Sequence, residues 1–291
     1  MFFGSIPALV TPFIGGRVAE DTFAELVEWQ IAQGSNALVP CGTTGEVATL
    51  TADEHRRVIE LSVEQAKGRV PVIAGCGSYS TAASIERMVA AKDVGAAAAL
   101  VVVPYYNKPS QAGLAAHYRA LAAASDLPII IYNVPSRTVA DISVETLADL
   151  AKLPTIVGIK DASGNLARVT AQRLACGTEF CQLSGNDDMA LGFNAMGGVG
   201  CISVTANVAP RLCADFQAAT RQGRWDEALA LQDQLYPLHA ALFSDASPGP
   251  AKYALPKVRP GFPTELRLPM TEPSEASRAA VDAALAHAGL I

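Results

Sequence analysis

One apolar stretch, Thr155-Ile156-Val157-Gly158-Ile159-Lys160-Asp161, shows how this chain is built. It is short, rich in β-branched residues and bounded by Pro154 and Ser163-Gly164, which predicts a buried β-strand. Lys160 lies at the end of that strand, and burial disfavours the charged form of a lysine. Two interpretations are open. The side chain reaches the surface from the strand's edge, or it provides a neutral amine that attacks a carbonyl and forms a Schiff base.

No other lysine of the sequence lies in such a run. The remaining six are found near predicted helix ends, in loops or in the proline-rich C-terminal segment: Lys67, Lys92, Lys108, Lys152, Lys252 and Lys257. The sequence therefore singles out Lys160 as the candidate for covalent chemistry.

The composition predicts a folded protein with a large core. The chain has 291 residues, of which 50% are hydrophobic and 17% are charged, so disorder is not expected. The formal net charge is -6 and there is no run of lysine or arginine. This charge pattern argues against nucleic acid or an anionic membrane as a partner.

The cysteines and the N-terminus predict a cytoplasmic location. The six cysteines form neither a C-x-x-C pair nor a zinc-ligand spacing, and reduced thiols in apolar runs suit the cytosol. The N-terminus lacks the basic region of a signal peptide, and Pro12 and Gly15-Gly16 interrupt any long apolar span.

Apolar runs alternate with amphipathic segments along most of the chain. The eight predicted strands are residues 5–11, 37–42, 70–75, 97–103, 128–132, 155–161, 180–184 and 199–204. Seven predicted helices are residues 21–33, 80–93, 110–124, 143–153, 166–175, 187–196 and 209–222. An eighth begins at Thr51, where Glu54 completes a capping box.

Strands that are apolar along their whole length and alternate with helices predict an α/β fold with a parallel sheet. Eight repeats favour a closed (β/α)₈ TIM barrel over an open sheet, with catalytic groups at the carboxyl ends of the strands. We expect the catalytic barrel over residues 1–223 and a small helical domain over residues 224–291, with a proline-rich break between residues 247 and 263.

Polar residues follow three of the predicted strands. The turn Gly42-Thr43-Thr44-Gly45-Glu46 can present N–H groups to an anion, although such a motif taken alone is more often an ordinary strand-to-helix turn. Tyr105-Tyr106 follows the fourth strand, where the rings can simply pack. Tyr132 and Arg137 follow the fifth and offer a proton carrier and a carboxylate clamp, with an exposed loop arginine as the alternative.

Other chemistries find little support in the sequence. Residues 75–80 superficially match a dinucleotide-binding fingerprint, but the last position is Ser80 and the next strand ends without an acidic residue. The G-x-S-x-G elbow of serine hydrolases is absent. All four histidines fall in predicted helices without metal or triad spacing: His55, His117, His239 and His287. We therefore expect neither a metal nor a cofactor.

Together the motifs resemble those of the 4-hydroxy-tetrahydrodipicolinate synthase (dihydrodipicolinate synthase) family. Five segments carry the resemblance in order and spacing: residues 42–46, 104–111, 132–138, 158–165 and 202–208. It extends from Gly4 to residues 266–270 and is weakest over residues 244–264. The resemblance implies a Schiff-base-forming lyase that condenses pyruvate with L-aspartate 4-semialdehyde. This reaction is the first committed step of the diaminopimelate and L-lysine pathway and uses no cofactor.

The resemblance also implies catalytic roles. Lys160 would form the Schiff base with pyruvate. Tyr132 would carry protons and accept or donate a hydrogen bond at Thr43. Tyr106 would complete this relay from the neighbouring subunit.

Substrate-binding roles follow from the same resemblance. Thr43 and Thr44 would hold the carboxylate of pyruvate, and Arg137 would hold the carboxylate of the aldehyde. Gly185 and Ile202 would line the pocket through their backbones.

Two alternatives remain open beside this function. A sibling lyase that splits a sugar acid, of N-acetylneuraminate lyase or keto-deoxy-gluconate aldolase type, shares the lysine and the tyrosine. Arg137, and Thr43-Thr44 rather than a Ser-Thr pair, favour the synthase. A non-catalytic sugar-acid sensor on the same scaffold is disfavoured because Lys160 and Tyr132 are both present.

Assembly and regulation are the last implications of the resemblance. Because Tyr106 completes a neighbour's site in the family, we expect a homo-oligomer built from a two-fold dimer, with a tetramer of two dimers as the expected form. Inhibited relatives bind lysine at the dimer interface through a serine, a histidine, an asparagine and a glutamate. This chain keeps His55 and Tyr105 but replaces those four groups with Val47, Ala52, Tyr79 and Ala83, so we expect weak or absent inhibition by lysine.

Overall fold

The structure, a computed structural model, describes residues 2–291. They form an α/β fold around a curled parallel sheet. Its seven strands are β1 (Gly4–Pro7), β4 (Ile73–Gly75), β5 (Ala98–Val102), β6 (Ile129–Asn133), β7 (Ile156–Asp161), β8 (Cys181–Ser184) and β9 (Gly200–Ser203). They pair in the order β1-β9-β8-β7-β6-β5-β4. A separate hairpin consists of β2 (Phe13–Ile14) and β3 (Arg17–Val18). The predicted α/β fold with a parallel sheet is confirmed.

Helices connect the strands and form the C-terminal part of the chain. They are α1 (Glu20–Ala32), α2 (Ala52–Ala66), α3 (Thr81–Asp93), α4 (Gln111–Ala124), α5 (Pro135–Thr138), α6 (Val144–Leu150), α7 (Ala167–Cys176), α8 (Ala190–Ala195), α9 (Pro210–Arg221), α10 (Trp225–Ala241), α11 (Gly249–Val258) and α12 (Glu275–His287). Hydroxyl side chains cap four of the predicted helices at Thr51, Ser80, Ser110 and Ser143. The capping box of Thr51 and Glu54 is confirmed.

The predicted second strand, residues 37–42, is not a regular strand. It pairs only through two isolated parallel bridges, from Leu38 to Val72 and from Val39 to Ala8. Proline at the next position has no N–H to donate, and Cys41 then adopts a left-handed φ of 56°, so the ladder cannot continue. The segment nevertheless lies between β1 and β4, the two edges of the sheet.

Three other local elements differ from the prediction. The helix predicted over residues 187–196 begins as a 3-10 turn, Asp187–Met189, before α8. No helix was predicted around Arg137, but Pro135 fixes the first φ of the short helix α5. The hairpin β2–β3 was not predicted, although Gly15-Gly16, with φ values of 58° and 77°, supplies the turn that such hairpins require.

A register shift between β6 and β7 sets the position of Lys160. Ile129 pairs with Ile156, but Ile130 pairs with Gly158, so one residue of β7 is skipped. After the shift Tyr132 lies level with Lys160. Aligned residues on neighbouring strands point to the same face, so this bulge puts the two side chains together.

The two faces of the sheet have separate apolar clusters. Ile131 and Ile159 point outward into the large cluster beneath the helices. Ile130, Tyr132 and Leu183 point inward into a smaller cluster that contains no helical residue. Lys160 follows Ile159 on β7 and therefore points inward, because successive strand residues alternate between faces.

The C-terminal segment is helical, as the sequence predicted, but α11 lies where a proline-rich break was expected over residues 247–263. Within residues 225–291 the structure shows α10, α11 and α12 and no strand. Among the described helices, none has the length and apolarity needed to cross a membrane.

Candidate active site

Lys160 and Tyr132 lie side by side at the carboxyl ends of β7 and β6. Both are buried, with 6% and 8% of their surfaces exposed. The Lys160 Nζ is 4.1 Å from the centroid of the Tyr132 ring. Contact with an aromatic face orients a lysine head group without neutralising it by a carboxylate. The structure thus brings the two principal predicted residues into direct contact.

Lys160 has no acidic partner, although Asp161 follows it in the sequence. The Asp161 Oδ2 accepts hydrogen bonds from Arg168 Nε at 3.0 Å and from Gln172 Nε2 at 2.7 Å. Its Oδ1 accepts one from the Ser163 N–H at 2.8 Å. The Asp161 carboxylate therefore points toward helix α7, on the opposite face of the sheet from Lys160. Across residues 2–291 the Lys160 amine makes no ion pair, so no carboxylate stands between it and a substrate carbonyl.

Gly185 lies against the side chain of Lys160. A Cβ at this position would approach the Lys160 Cε to 3.1 Å and the Ala162 Cβ to 2.6 Å. Any side chain here would therefore displace the lysine or the backbone. Ile202, on β9, belongs to the same inward-facing cluster as Tyr132. The predicted residues Lys160, Tyr132, Gly185 and Ile202 thus share the inner face.

The Thr43-Thr44 turn has strained residues on both sides. Cys41 and Glu46 have left-handed φ angles of 56° and 55°, a conformation that costs a non-glycine residue about 1–3 kcal/mol. The Glu46 N–H donates to the Thr43 carbonyl at 3.1 Å, and the Thr11 hydroxyl donates to the Gly45 carbonyl at 2.8 Å. Surrounding contacts therefore hold the turn in one shape, as at many binding sites.

A cavity of about 320 Å³ opens beside this turn. Thr43 and Arg137 both line it, whereas Thr44 is buried and does not line it. Val102 and Val134 line the cavity and also contact the inner cluster, so the cavity lies next to Tyr132. Lys160 and Tyr132 do not themselves line the cavity, and Val102 and Val134 connect it to their cluster.

Arg137 is an exposed residue of α5 and lines the cavity. In the described part of the chain no carboxylate lies within ion-pair distance of its guanidinium. A free planar guanidinium can bind a substrate carboxylate through two parallel hydrogen bonds.

Sequence reasoning missed one wall of the cavity. The C-terminal segment contributes four residues to it: Ser247, Pro248, Pro269 and Met270. These residues carry no charge, and the only signal available was the concentration of proline over this part of the sequence.

The three residues of the predicted proton relay do not meet within one chain. Tyr106 is 94% exposed and has a left-handed φ of 70°. Within residues 2–291 no hydrogen bond joins the hydroxyls of Tyr132 and Thr43. Tyr106 follows the cavity residue Tyr105, and its ring is exposed while its φ is unfavourable for a residue other than glycine. Contact with a second subunit would bury the ring and offset the cost of that φ.

Lys160 is the one lysine in a strand of the described sheet, as the sequence predicted, but a second lysine is also buried. Lys252, on α11, is fully buried, and its Nζ lies 2.5 Å from the Glu46 Oε1. Burial lowers the pKa of Lys252, and the charge of Glu46 opposes that shift. The sequence around Lys252 is helical rather than strand-like, so the apolar-strand pattern could not reveal it. The two lysines differ in that Lys252 has a carboxylate partner and Lys160 has none.

The cysteines and His55 have structural roles. Burial raises the pKa of the Cys76 and Cys181 thiols to about 12, so both are neutral and unreactive near neutral pH. His55 Nε2 lies 2.7 Å from the Gly75 carbonyl oxygen, and burial lowers the pKa of this imidazole. Over the described residues, no cluster of three or more histidine, cysteine or acidic groups is arranged to bind a metal.

Polar groups gathered at the carboxyl ends of parallel strands are typical of enzymes with an α/β fold. A family model, the Dihydrodipicolinate synthetase family, matches residues 1–288. The chain belongs to this family, as the sequence motifs predicted.

Known proteins support the assignment over the full length. The chain is 69% identical over 290 residues to a 4-hydroxy-tetrahydrodipicolinate synthase of Rhizorhabdus wittichii, with 100% of both chains covered. It is 66% identical over 291 residues to the enzyme of the same name from Zymomonas mobilis, again with 100% of both covered. Among solved structures, a chloride-inhibited dihydrodipicolinate synthase from Acinetobacter baumannii in complex with pyruvate has a TM-score of 0.97 and 44% identity, with 100% of both chains covered.

Proposed function

We propose that the protein condenses pyruvate with L-aspartate 4-semialdehyde, the activity that the names of its relatives indicate. The observation that carries the proposal is the buried Lys160, held 4.1 Å from the Tyr132 ring without an acidic partner. The amine would attack the carbonyl of pyruvate and expel water to form an iminium. The iminium withdraws electrons from the adjacent methyl group, so that group becomes a nucleophile toward the aldehyde.

Proton transfers would involve Tyr132. Iminium formation removes the carbonyl oxygen as water, and the methyl group then loses a proton. The Tyr132 phenol, beside the Lys160 amine, can donate a proton to the departing oxygen and can take part in removing the proton from the methyl group. Thr43 and Tyr106 would complete the relay, with Tyr106 supplied by the partner subunit.

The two substrate carboxylates would bind at different places. The backbone and hydroxyls of Thr43 and Thr44 are suited to the carboxylate of pyruvate, because their N–H groups make no hydrogen bond within residues 2–291, unlike those of Gly45 and Glu46. Arg137, unpaired in the cavity, is suited to the carboxylate of the second substrate.

The proposal is tested by assaying the purified protein with pyruvate and each candidate aldehyde in turn. Turnover with L-aspartate 4-semialdehyde is expected, with little or none for N-acetylmannosamine or D-glyceraldehyde. Preferential turnover of either of these would assign the chain to the sugar-acid lyases.

Arg137→Ala is expected to lower kcat/KM for L-aspartate 4-semialdehyde by about 10- to 100-fold, the loss of one charge-assisted contact. Because the arginine faces the second substrate, borohydride trapping of pyruvate should be unchanged. Arg119→Ala is the matched control, since Arg119 is an exposed arginine that pairs with Asp149 on neighbouring helices. Equal loss of trapping in Arg137→Ala would show that Arg137 binds pyruvate or supports the fold.

We also infer the architecture around the site. Hydrogen bonds from residues 38 and 39 to both sheet edges support closure into a (β/α)₈ barrel. The lack of strands after residue 223 supports a catalytic barrel over residues 1–223 and a helical domain over residues 224–291. Six free cysteines, five of them buried, support a cytoplasmic location.

We propose a two-fold dimer, and a tetramer of two such dimers, as the working form. The exposed, strained Tyr106 supports an intersubunit contact at the site. In a two-fold interface each subunit would supply its tyrosine to the other.

Lysine is expected to inhibit the enzyme weakly or not at all. Tyr79 packs edge-on against Tyr105, with ring centroids 5.5 Å apart, and Ala83 provides no carboxylate for an ammonium group. Loss of the glutamate alone should weaken lysine binding about 30-fold or more. Activity would be followed from sub-millimolar to millimolar L-lysine, with both substrates near half-saturation. Strong inhibition at the lowest concentrations would contradict this expectation.

A further inference from the structure

A buried ion pair joins the C-terminal helices to the Thr43-Thr44 turn. The Lys252 Nζ lies 2.5 Å from the Glu46 Oε1, and their side chains are 0% and 1% exposed. Lys252 belongs to α11, whereas Glu46 ends the turn, 206 residues earlier in the sequence. The contact is therefore a tertiary link between two distant segments at the edge of the cavity.

The remaining polar atoms of this pair also have partners. The Glu46 Oε2 accepts a hydrogen bond from the Arg267 N–H at 3.1 Å. The Lys252 Nζ donates to the Glu265 carbonyl at 2.7 Å and lies 4.3 Å from the Phe13 ring centroid. Each oxygen of the Glu46 carboxylate is thus held by a different part of the C-terminal segment, which fixes its direction as well as its position.

The backbone of Glu46 is part of the turn itself. Its N–H donates to the Thr43 carbonyl at 3.1 Å, and its own carbonyl accepts hydrogen bonds from the N–H and the hydroxyl of Thr49 at 3.0 and 3.1 Å. Its φ of 55° is a conformation that glutamate adopts only under constraint. Both carboxylate oxygens of Glu46 are held, one by Lys252 and one by Arg267. These contacts therefore fix the position of the Glu46 backbone at the end of the turn.

A buried ion pair is a poor means of stabilising a fold. Removing two charges from water costs as much as their attraction returns, so an apolar pair of equal volume is often as stable. Such a pair is better explained by the geometry it imposes, and here it imposes geometry on a turn that lines the cavity.

We propose that Glu46 and Lys252 are positioning residues, which orient the Thr43-Thr44 turn to receive the carboxylate of pyruvate. The inference rests on the proposed function, because it concerns how pyruvate is bound. Neither residue touches the reacting atoms. Their effect should therefore fall on the pyruvate concentration required and not on the chemistry of Lys160.

The test measures the pyruvate concentration that half-saturates borohydride trapping on Lys160, without the second substrate. Glu46→Asp keeps both charges, but the shorter side chain cannot contact Lys252 and Arg267 together without moving the turn. The double variant Glu46→Gln, Lys252→Met leaves no charge unpaired and should retain a Tm near that of the wild type. Lys257→Met is the matched control, since this lysine of α11 pairs with Asp282 instead.

We expect half-saturation to rise about tenfold or more in both Glu46 variants, the effect of a misplaced binding group. Trapping at saturating pyruvate should remain complete, and Lys257→Met should match the wild type. An unchanged half-saturation in either folded Glu46 variant would overturn the inference alone. Failure of the wild type to trap pyruvate on Lys160 would instead overturn the proposed function, and the inference with it.

Discussion

Lys160→Ala is expected to lower kcat by several orders of magnitude, roughly 10⁴-fold or more, as when other covalent catalytic residues are removed. The loss follows from the reaction route, because without the amine no iminium can activate the methyl group of pyruvate. Incubation of the wild type with pyruvate and borohydride should add a reduced pyruvyl group to the peptide that contains Lys160. The Lys160→Ala variant should acquire no such group, as measured by intact mass and peptide mapping.

Two controls distinguish loss of the Lys160 amine from a general loss of folding or activity caused by substitution. Lys152→Ala removes an exposed lysine shortly before the same strand, and its rate and labelling should equal those of the wild type. Thermal unfolding of Lys160→Ala should show a folded protein, since Lys160 has no ion pair to lose. Labelling of any lysine other than Lys160 would refute the assignment.

The sequence predicted the sheet better than it predicted the register. Strand-like apolar runs locate β7 and β6 because burial on both faces selects such residues. The shift that aligns Tyr132 with Lys160 cannot be inferred from those runs, since it depends on which residue of β7 is skipped. Gly158 gives the only hint, because a Cβ there would lie 2.5 Å from the Cys181 carbonyl oxygen.

The site was predictable where one short segment carries the chemistry, as for Lys160, Tyr132 and Arg137. It was not predictable where distant segments meet. Lys252 lies in a proline-rich segment of the sequence, and its burial depends on Glu46 from the other end of the chain. A periodicity pattern describes the faces of one element, whereas a buried ion pair depends on how two elements pack.

Tyr106→Phe is expected to lower kcat about 10²-fold or more, the contribution of one positioned proton carrier. The tyrosine ring should keep its place, because the substitution removes only the hydroxyl group. The reason to expect an intersubunit role is the 94% exposure and left-handed φ of this residue in the single chain. If the hydroxyl acts in the partner's site, two inactive variants should complement one another.

Mixing equal amounts of Lys160→Ala and Tyr106→Phe chains tests this directly. A hybrid dimer holds one site in which Lys160 of one chain meets Tyr106 of the other, and random exchange makes half of the dimers hybrids. Activity should therefore approach about one quarter of the wild-type value. Mixing Lys160→Ala with Tyr132→Phe is the control, because these two side chains contact each other within one chain and no hybrid site would contain both. Recovery in the control alone, or in neither mixture despite proven exchange, would show that Tyr106 does not act across the interface.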